Sequence, residues 1–512
     1  MGMFPGIGLL ALLLLVSPLA VCGSKVLILA PLGSLSHKNY YVSIAKALTQ
    51  AKHQVTLVSG FKPTVSVRNM EEVVVPGAEL NLPDHMEGGY AAYFLDNAHQ
   101  NMDICFSTLE SKRAQKLFNK KYDLVILSTF FAECYFSLIH GLQVPFVYAS
   151  PYGSSPELDI IMGSPTFPSF LSSYGNDNQT ELSFTQRLSN TVQLTTFQMA
   201  LRNHITRTDS ECRSRGICSD NMPHIMYMRL NSSLTLINSM SRYVELARPE
   251  VPTVVHAGGI DLYPPKPLPQ PLEDWAEMAE FEGVVYFSLG RDIKPSKINE
   301  NDRKEILNAL SRLDTNIFAK WDTDFILYKP RNILIKQWLP QQSLLGDPRT
   351  MLFISSGGKQ STDEAAYHGV PILGLPITDQ QISNMHHVEE QGLGRSVSFT
   401  NFSLKDFRDA FDYLINDQSV QEAVRRRSSL LQDVPANRGK AVVYWLEYVL
   451  RHEGAKHLRC PAINMQWYRL YNVDVWSTVA VILVAWTLLS LMCLRGCIRR
   501  CSRLVSRKEK VQ

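Results

Sequence analysis

This 512-residue chain has no Cys-x-x-Cys pair and no Cys/His cluster, so nothing in it has the ligand spacing of a metal site. Its 28 glycines follow no G-x-y period, which excludes a collagen-like rod. Charge is sparse, at 19% of residues, and nearly balanced at a net +3, which argues against a nucleic-acid binder and its basic excess. Disorder is excluded by a hydrophobic content of 45%. A chain this long is a prior for two or three domains, each able to bury a core. Acidic residues all but vanish from the C-terminus, where Arg495, Arg499, Arg500, Arg503, Arg507, Lys508 and Lys510 face only Glu509. The body is therefore mildly acidic and the tail basic.

Long apolar runs are also few, and the two present carry information. Gly6 to Val16 is followed by Pro18, Ala20 and Cys22, with no charge before Lys25, as in a cleaved secretory signal. Val475 to Leu494 carries no charge and, at about 1.5 Å per residue, just crosses a hydrocarbon core of roughly 30 Å. The arginines directly after Leu494 place the tail in the cytosol by the positive-inside rule, so a single-pass type I membrane protein is expected. Lys508 and Lys510 stand in the spacing of a dilysine retrieval signal, which favours the endoplasmic reticulum membrane with a lumenal body.

Of nine cysteines, Cys22 goes with the leader and Cys493, Cys497 and Cys501 sit at the membrane edge. Cys105, Cys134, Cys212, Cys218 and Cys460 remain, an odd number, with Cys212–Cys218 the expected local bridge. Asn178, Asn231 and Asn401 head glycosylation sequons usable in that compartment.

Lys25 to Ala30 is a continuous apolar run of the kind buried on both faces of a parallel sheet. A helical stretch to about Gln50 and a strand from Gln54 to Ser59 complete a βαβ unit. Further strands are expected at Asp123–Leu127 and Pro145–Ala149, and residues 155–225 read as polar and irregular with helical pieces. Pro264 to Pro271 holds five prolines and reads as a stiff link with no room for helix or sheet. The alternation then restarts, with strands at Val284–Leu289, Asn316–Trp321, Ile333–Trp338, Met351–Ser355 and Val370–Leu375 and helices at Glu300–Leu313 and from near Ser361. Two doubly wound α/β domains facing a cleft follow, with ligands beyond the carboxyl ends of the strands.

The loops there carry Trp338-Leu-Pro340-Gln341, Ser356-Gly357-Gly358, Glu364, Pro376 and Asp379-Gln380. With Ser36-His37, Tyr286 to Gly290, Tyr444 to His452 and His457-Leu458-Arg459, they make the chain resemble the membrane-bound animal UDP-glycosyltransferases, the UDP-glucuronosyltransferase family. The likeness spans nearly the whole chain. It implies a GT-B fold: signal 1–22, acceptor-binding domain 23–260, Pro-rich linker 261–280, UDP-sugar domain 281–435, returning helices 436–474, transmembrane helix 475–494 and basic cytosolic tail 495–512. It also implies an inverting transfer of a sugar from a UDP-sugar to a small lipophilic acceptor, with no metal and no cofactor beyond that co-substrate.

By the same resemblance His37 is the base, its ordinary pKa near 6.5 suiting the task. Trp338 would stack on the uracil with Gln341 nearby, and Glu364 would accept the ribose hydroxyls. Gly357 and Gly358, opening a helix with Gln360 and Ser361 in its first turn, would offer bare N–H groups to the diphosphate. Gly290 and Arg291 follow the first strand of that half.

Four positions depart from the family pattern. Ser128 stands where a carboxylate normally orients the base, a loss costing about 10⁴-fold in a well-studied protease dyad; Glu133 is a candidate replacement. Ser356 replaces a His that donates to phosphate, a bond worth roughly 1.5–3 kcal/mol. Arg291 replaces a Ser. The Asp-Gln pair for sugar hydroxyls is Asp379-Gln380 with one deletion, or Gln380-Gln381 without it. These departures raise a second expectation, a degenerate member that binds lipophiles or forms homo- or hetero-oligomers.

Overall fold

The computed structural model describes residues 23–33, 35–63, 66–75, 89–151, 155–171, 182–240, 248–278, 283–290, 293–323, 329–434 and 437–509. Residues up to Arg459 form one compact unit and those from Cys460 onward another. Arg291 and Asn178 lie outside the described residues, as does the N-terminal signal.

The first unit holds two parallel sheets. In the N-terminal half, β1 (Lys25–Ala30), β2 (Gln54–Ser59), β3 (Met70–Val74), β4 (Leu124–Ser128), β5 (Phe146–Ser150), β6 (Thr235–Ile237) and β7 (Val254–His256) stand in the order 3-2-1-4-5-6-7. In the C-terminal half, β8 (Val284–Ser288), β9 (Asn316–Lys320), β10 (Ile333–Lys336), β11 (Thr350–Ser355), β12 (Ile372–Gly374) and β13 (Gly394–Ser396) stand in the order 10-9-8-11-12-13. Both orders reverse beside the first strand of their half, the switch point of a doubly wound sheet. Val26 to Ala30, all of β4 and β5 and all of β8 are buried, as their unbroken apolar runs demand.

The helices of the N-terminal half include α1 (Leu35–Gln50), α2 (Gly89–Glu110), α3 (Phe136–Leu142) and α4 (Phe184–Ser214). The link carries α5 (Gln270–Glu277), and α6 (Glu300–Ser311), α7 (Gln341–Leu345), α8 (Lys359–His368), α9 (Asp379–Glu390), α10 (Leu404–Asn416) and α11 (Gln418–Gln432) follow. α12 (Arg438–Arg451) closes the unit.

Several sequence expectations are corrected. The link does hold a helix: Pro269 caps α5 and Pro271 sits in its first turn, where a missing N–H costs nothing. Within 155–225, where only helical pieces in an irregular stretch are expected, 31 residues form one continuous helix. Its Ser183–Gln186 capping box starts it, and it buries a single stripe including Leu194, Phe197, Leu201 and Ile205. Strand β10 ends at Lys336, leaving Trp338 in the loop. β12 spans only Ile372–Gly374. Strands β3, β6, β7 and β13 escape a pattern search because three have three residues and β3 carries Glu71 and Glu72.

Among the described residues two disulfides are present: the local Cys212–Cys218 bridge and Cys105–Cys134, which ties α2 to the loop after β4. Cys460 is free. In the second unit, α13 (Val473–Glu509) contains a 28-residue segment, Val473–Arg500, with an 18-residue stretch of mean hydropathy 2.2, long and apolar enough to cross a membrane.

α12 runs back to the N-terminal half. Its Val442, Leu446 and Val449 are fully buried in the same core as Val26 and Ile28 of β1 and Tyr41, Ile44 and Leu48 of α1. Glu447 on this helix accepts from His53 Nε2 at 3.2 Å. Leu446→Ala should therefore cost about 2–5 kcal/mol, read as a lowered thermal midpoint, whereas exposed Tyr444→Ala should leave the midpoint within about 0.5 kcal/mol equivalent.

Candidate active site

Parallel strands send their following loops to one edge, so the ends of β1, β4, β8, β10 and β11 are where chemistry gathers. After β1 the chain turns at Gly33, whose φ of +131° few side chains adopt, and enters α1. His37 lies in the first turn of that helix, 8% exposed. A Cβ at Gly33 would come within 2.7 Å of His37 Nδ1, so the glycine makes room for the ring. Burial pushes the imidazole down to about 4, which keeps it neutral and able to accept a proton at physiological pH. The Phe130 ring meets it edge-on at 5.7 Å.

Ser128, at the end of β4, is buried and occupied. The Tyr41 hydroxyl lies 2.8 Å from its Oγ and 2.9 Å from the Ala149 carbonyl, and the Phe130 N–H donates to the same Oγ at 3.1 Å. The serine thus fastens α1, β4, β5 and the Phe130 loop to one another. Phe131 follows with a φ of +45°, an uncommon value for an aromatic residue. Glu133, the candidate replacement carboxylate, has its Oε2 3.9 Å from His204 Nε2. Burial would raise its pKa, but His204 and Arg229 hold it below the usual range. It is a charged partner committed to a different buried histidine.

In the C-terminal half Trp338 is 71% exposed, a free indole face beyond the end of β10. Three glutamines surround Glu364 on α8, which is only 4% exposed. Gln341 Nε2 donates to Glu364 Oε2 at 2.7 Å and to Ser361 Oγ at 3.3 Å, and its own Oε1 accepts from the Tyr286 hydroxyl at 3.1 Å. Gln360 and Gln342 donate to Glu364 Oε1 at 3.1 and 3.5 Å. Burial, with Asp261 and Asp363 acting the same way, pushes this carboxyl up to about 7 despite the amide bonds.

Gly357 has a φ of +83°, and a Cβ there would strike Met385 Cγ at 2.6 Å. Gly358 is the N-cap of α8, with no side-chain cap and no atom within 4 Å of where a Cβ would stand. The first N–H groups of a ten-residue helix are thus left open to an anion. Gly290, at φ +87°, keeps the loop after β8 low beside them. Ser356 Oγ donates to the Leu289 carbonyl at 3.2 Å, so its proton ties the β8 and β11 loops together.

Gln381 takes a capping role. Its Oε1 accepts from the N–H groups of Ile377 and Thr378 at 2.9 and 3.1 Å, completing the α9 capping box. Asp379 and Gln380 begin that helix. Asn231 and Asn401 are exposed, and the Asn231 carbonyl and side-chain oxygens both accept from Arg459.

Tyr41, Phe130, Gln342 and Asp261 were not singled out in the sequence. Tyr41 follows His37 by one helical turn, a spacing that does place two side chains together. Gln342 doubles Gln341, and Asp261 opens the link, so neither stood out from its neighbours.

Two doubly wound parallel sheets in one compact unit, with the candidate site loops at their strand ends, form the GT-B architecture. Solved structures share the fold: the glycosyltransferase VinC in complex with dTDP at TM-score 0.57 and 17% identity, covering 84% of this chain and all of that one, and the calicheamicin glycosyltransferase CalG4 at TM-score 0.55 and 16% identity, covering 84% and 99%. The family model described as UDP-glucoronosyl and UDP-glucosyl transferase matches residues 28–509, and the chain belongs to that family. Among its relatives, UDP-glycosyltransferase UGT5 of Dactylopius coccus is 32% identical over 71% of this chain and 69% of its own length. UDP-glucuronosyltransferase 2B17 of Homo sapiens is 27% identical over 80% and 77%.

Gly33→Ala combines an unfavourable φ with the 2.7 Å approach to His37, so it should displace the ring at a cost of about 1–3 kcal/mol. The thermal midpoint should fall accordingly, and an unchanged midpoint would show that the ring gives way without cost.

Proposed function

We propose that this chain transfers a hexosyl or glucuronosyl group from a UDP-sugar to the hydroxyl of a small lipophilic acceptor, by inverting displacement with His37 as general base. The carrying observation is a neutral, buried imidazole after β1 in the same molecule as an open helix N-terminus after β11. The acceptor oxygen gives its proton to His37 and attacks the anomeric carbon; the bond from that carbon to the phosphate oxygen breaks and UDP departs. The α8 N–H groups, with Gly290, Gly357 and Gly358 giving access, take the diphosphate charge. Trp338 stacks on the base, Gln341, Gln360 and Ser361 line the nucleotide, Glu364 takes the ribose, and Asp379 and Gln380 meet the sugar hydroxyls. The body faces the lumen of the endoplasmic reticulum, with the arginine-rich tail in the cytosol, as the charge step after Leu494 supports.

A second reading has its own support. Ser128 is held by Tyr41 and Phe130, and Glu133 is paired with His204, while burial lowers His37 to about 4. An imidazolium without a carboxylate partner is a weakly supported intermediate state, which favours slow chemistry or a lipophile-binding, oligomeric partner role.

Membranes bearing the chain, supplied with UDP-sugars and a panel of lipophilic alcohols and phenols, test both by UDP release. His37→Ala should lower turnover about 10²–10⁴-fold while retaining UDP binding. Trp338→Ala should weaken UDP by about 1–3 kcal/mol. UDP binding without turnover in the unaltered chain favours the partner role, and no UDP binding overturns the donor-site assignment. Because His37 is a base only when neutral and burial holds its pKa down to about 4, the acid limb of kcat at saturating UDP-sugar should lie below the ordinary histidine value, and the same limb persisting in the residual activity of His37→Gln would remove His37 from the role.

A further inference from the structure

The donor-half carboxylate is not held by its own half alone. Asp261 lies at the exit of the N-terminal half, five residues beyond β7 and ahead of the proline link. Its Oδ2 accepts from Gln360 Nε2 at 3.1 Å, and that same amide donates to Glu364 Oε1 at 3.1 Å. Its backbone carbonyl accepts from Gln342 Nε2 at 3.0 Å, and the N–H of Tyr263, two residues on, donates to Gln342 Oε1 at 3.1 Å. Two glutamine amides therefore each bridge the link to the carboxylate of α8. Neither glutamine has spare freedom: one amide nitrogen of each serves both Asp261 and Glu364.

We propose that Asp261 is a positioning residue for donor binding, aiming Glu364 through Gln360 and so tying the ribose grip to the chain segment that joins the two halves. The inference rests on the donor-site reading above. It has an electrostatic side as well. The groups facing Glu364 are Asp261 and Tyr263 from the link, Asp363 beside it on α8 and Tyr286 on β8; Lys46 of α1 acts on Asp261, and Lys359 pairs with Asp363 at 2.5 Å. Burial raises the Glu364 carboxyl to about 7, and the charge on Asp261 pushes it the same way. Ribose hydroxyls donate better to the ionised form, so donor affinity should rise as pH increases through neutrality. Removing the Asp261 charge lets Glu364 ionise earlier, which moves that rise to lower pH.

The test is the Kd of UDP-glucose, whose diesterified diphosphate does not titrate near neutrality, for the full-length chain in phospholipid nanodiscs across that pH range. Asp261→Ala, which deletes both the acceptor for Gln360 and the charge, should weaken binding about three- to tenfold on the plateau above neutrality, where Glu364 is ionised with or without Asp261. Asp261→Asn keeps an acceptor oxygen and should instead shift the midpoint of the affinity–pH curve downward, a readout that a bracing role alone would not move. Glu364→Gln should flatten the curve in either background. If Glu364→Gln flattens it while Asp261→Asn leaves the midpoint in place, the role of Asp261 is overturned and the donor site stands. If neither UDP-glucose nor UDP-glucuronate, run in its place where glucose is refused, binds, or if Glu364→Gln changes nothing, the donor-site reading itself fails. Thermal midpoints of the variants check that each is folded.

Discussion

Parallel strands buried on both faces leave little choice about where a chain puts its chemistry. Their side chains are consumed by packing, and their hydrogen bonds are shared with neighbours on either side. Only the loops leaving the carboxyl ends have both free backbone and access to water. His37, Ser128, Trp338, Ser356, Gly357 and Gly358 each stand within a few residues of such an end. The two sheets fix these loops, and everything proposed about proton transfer and nucleotide binding depends on that rigidity.

Much of this was legible because burial on both faces leaves a plain mark. Runs such as KVLILA and VVYFS are too apolar and too short to be anything else, and the Gly-Gly step before α8 sits where a helix must open without a side-chain cap. What was not legible depends on distance along the chain. The bridge from Cys105 to Cys134, the pairing of Glu133 with His204, and the link from Asp261 to Glu364 join residues whose neighbourhood only tertiary structure creates. Edge strands of three residues carry too few positions for any period to show. The continuity of the helix over Phe184–Ser214, expected only as helical pieces, hid for another reason: threonine and serine fill its solvent side and lower its apolar contrast.

Ser128 puts a small neutral side chain at a strand end. A carboxylate there would bring a charge into a buried neighbourhood, whereas the serine Oγ meets the Tyr41 hydroxyl and the Phe130 N–H and so ties a helix and a loop to the strand. Ser356 acts alike at the end of β11, its hydroxyl joining two loops through the Leu289 carbonyl.

The return of α12 to the first sheet has a consequence for biosynthesis. The layer covering β1 and α1 is incomplete until Val442, Leu446 and Val449 have been made, long after the strands they cover. At about 5–20 residues per second, the ribosome leaves that apolar face waiting for tens of seconds after β5 has emerged. Folding of the amino-terminal half therefore cannot conclude before the carboxyl-terminal half has been synthesised, and a nascent chain stalled in between would present chaperones with a ready-made greasy surface.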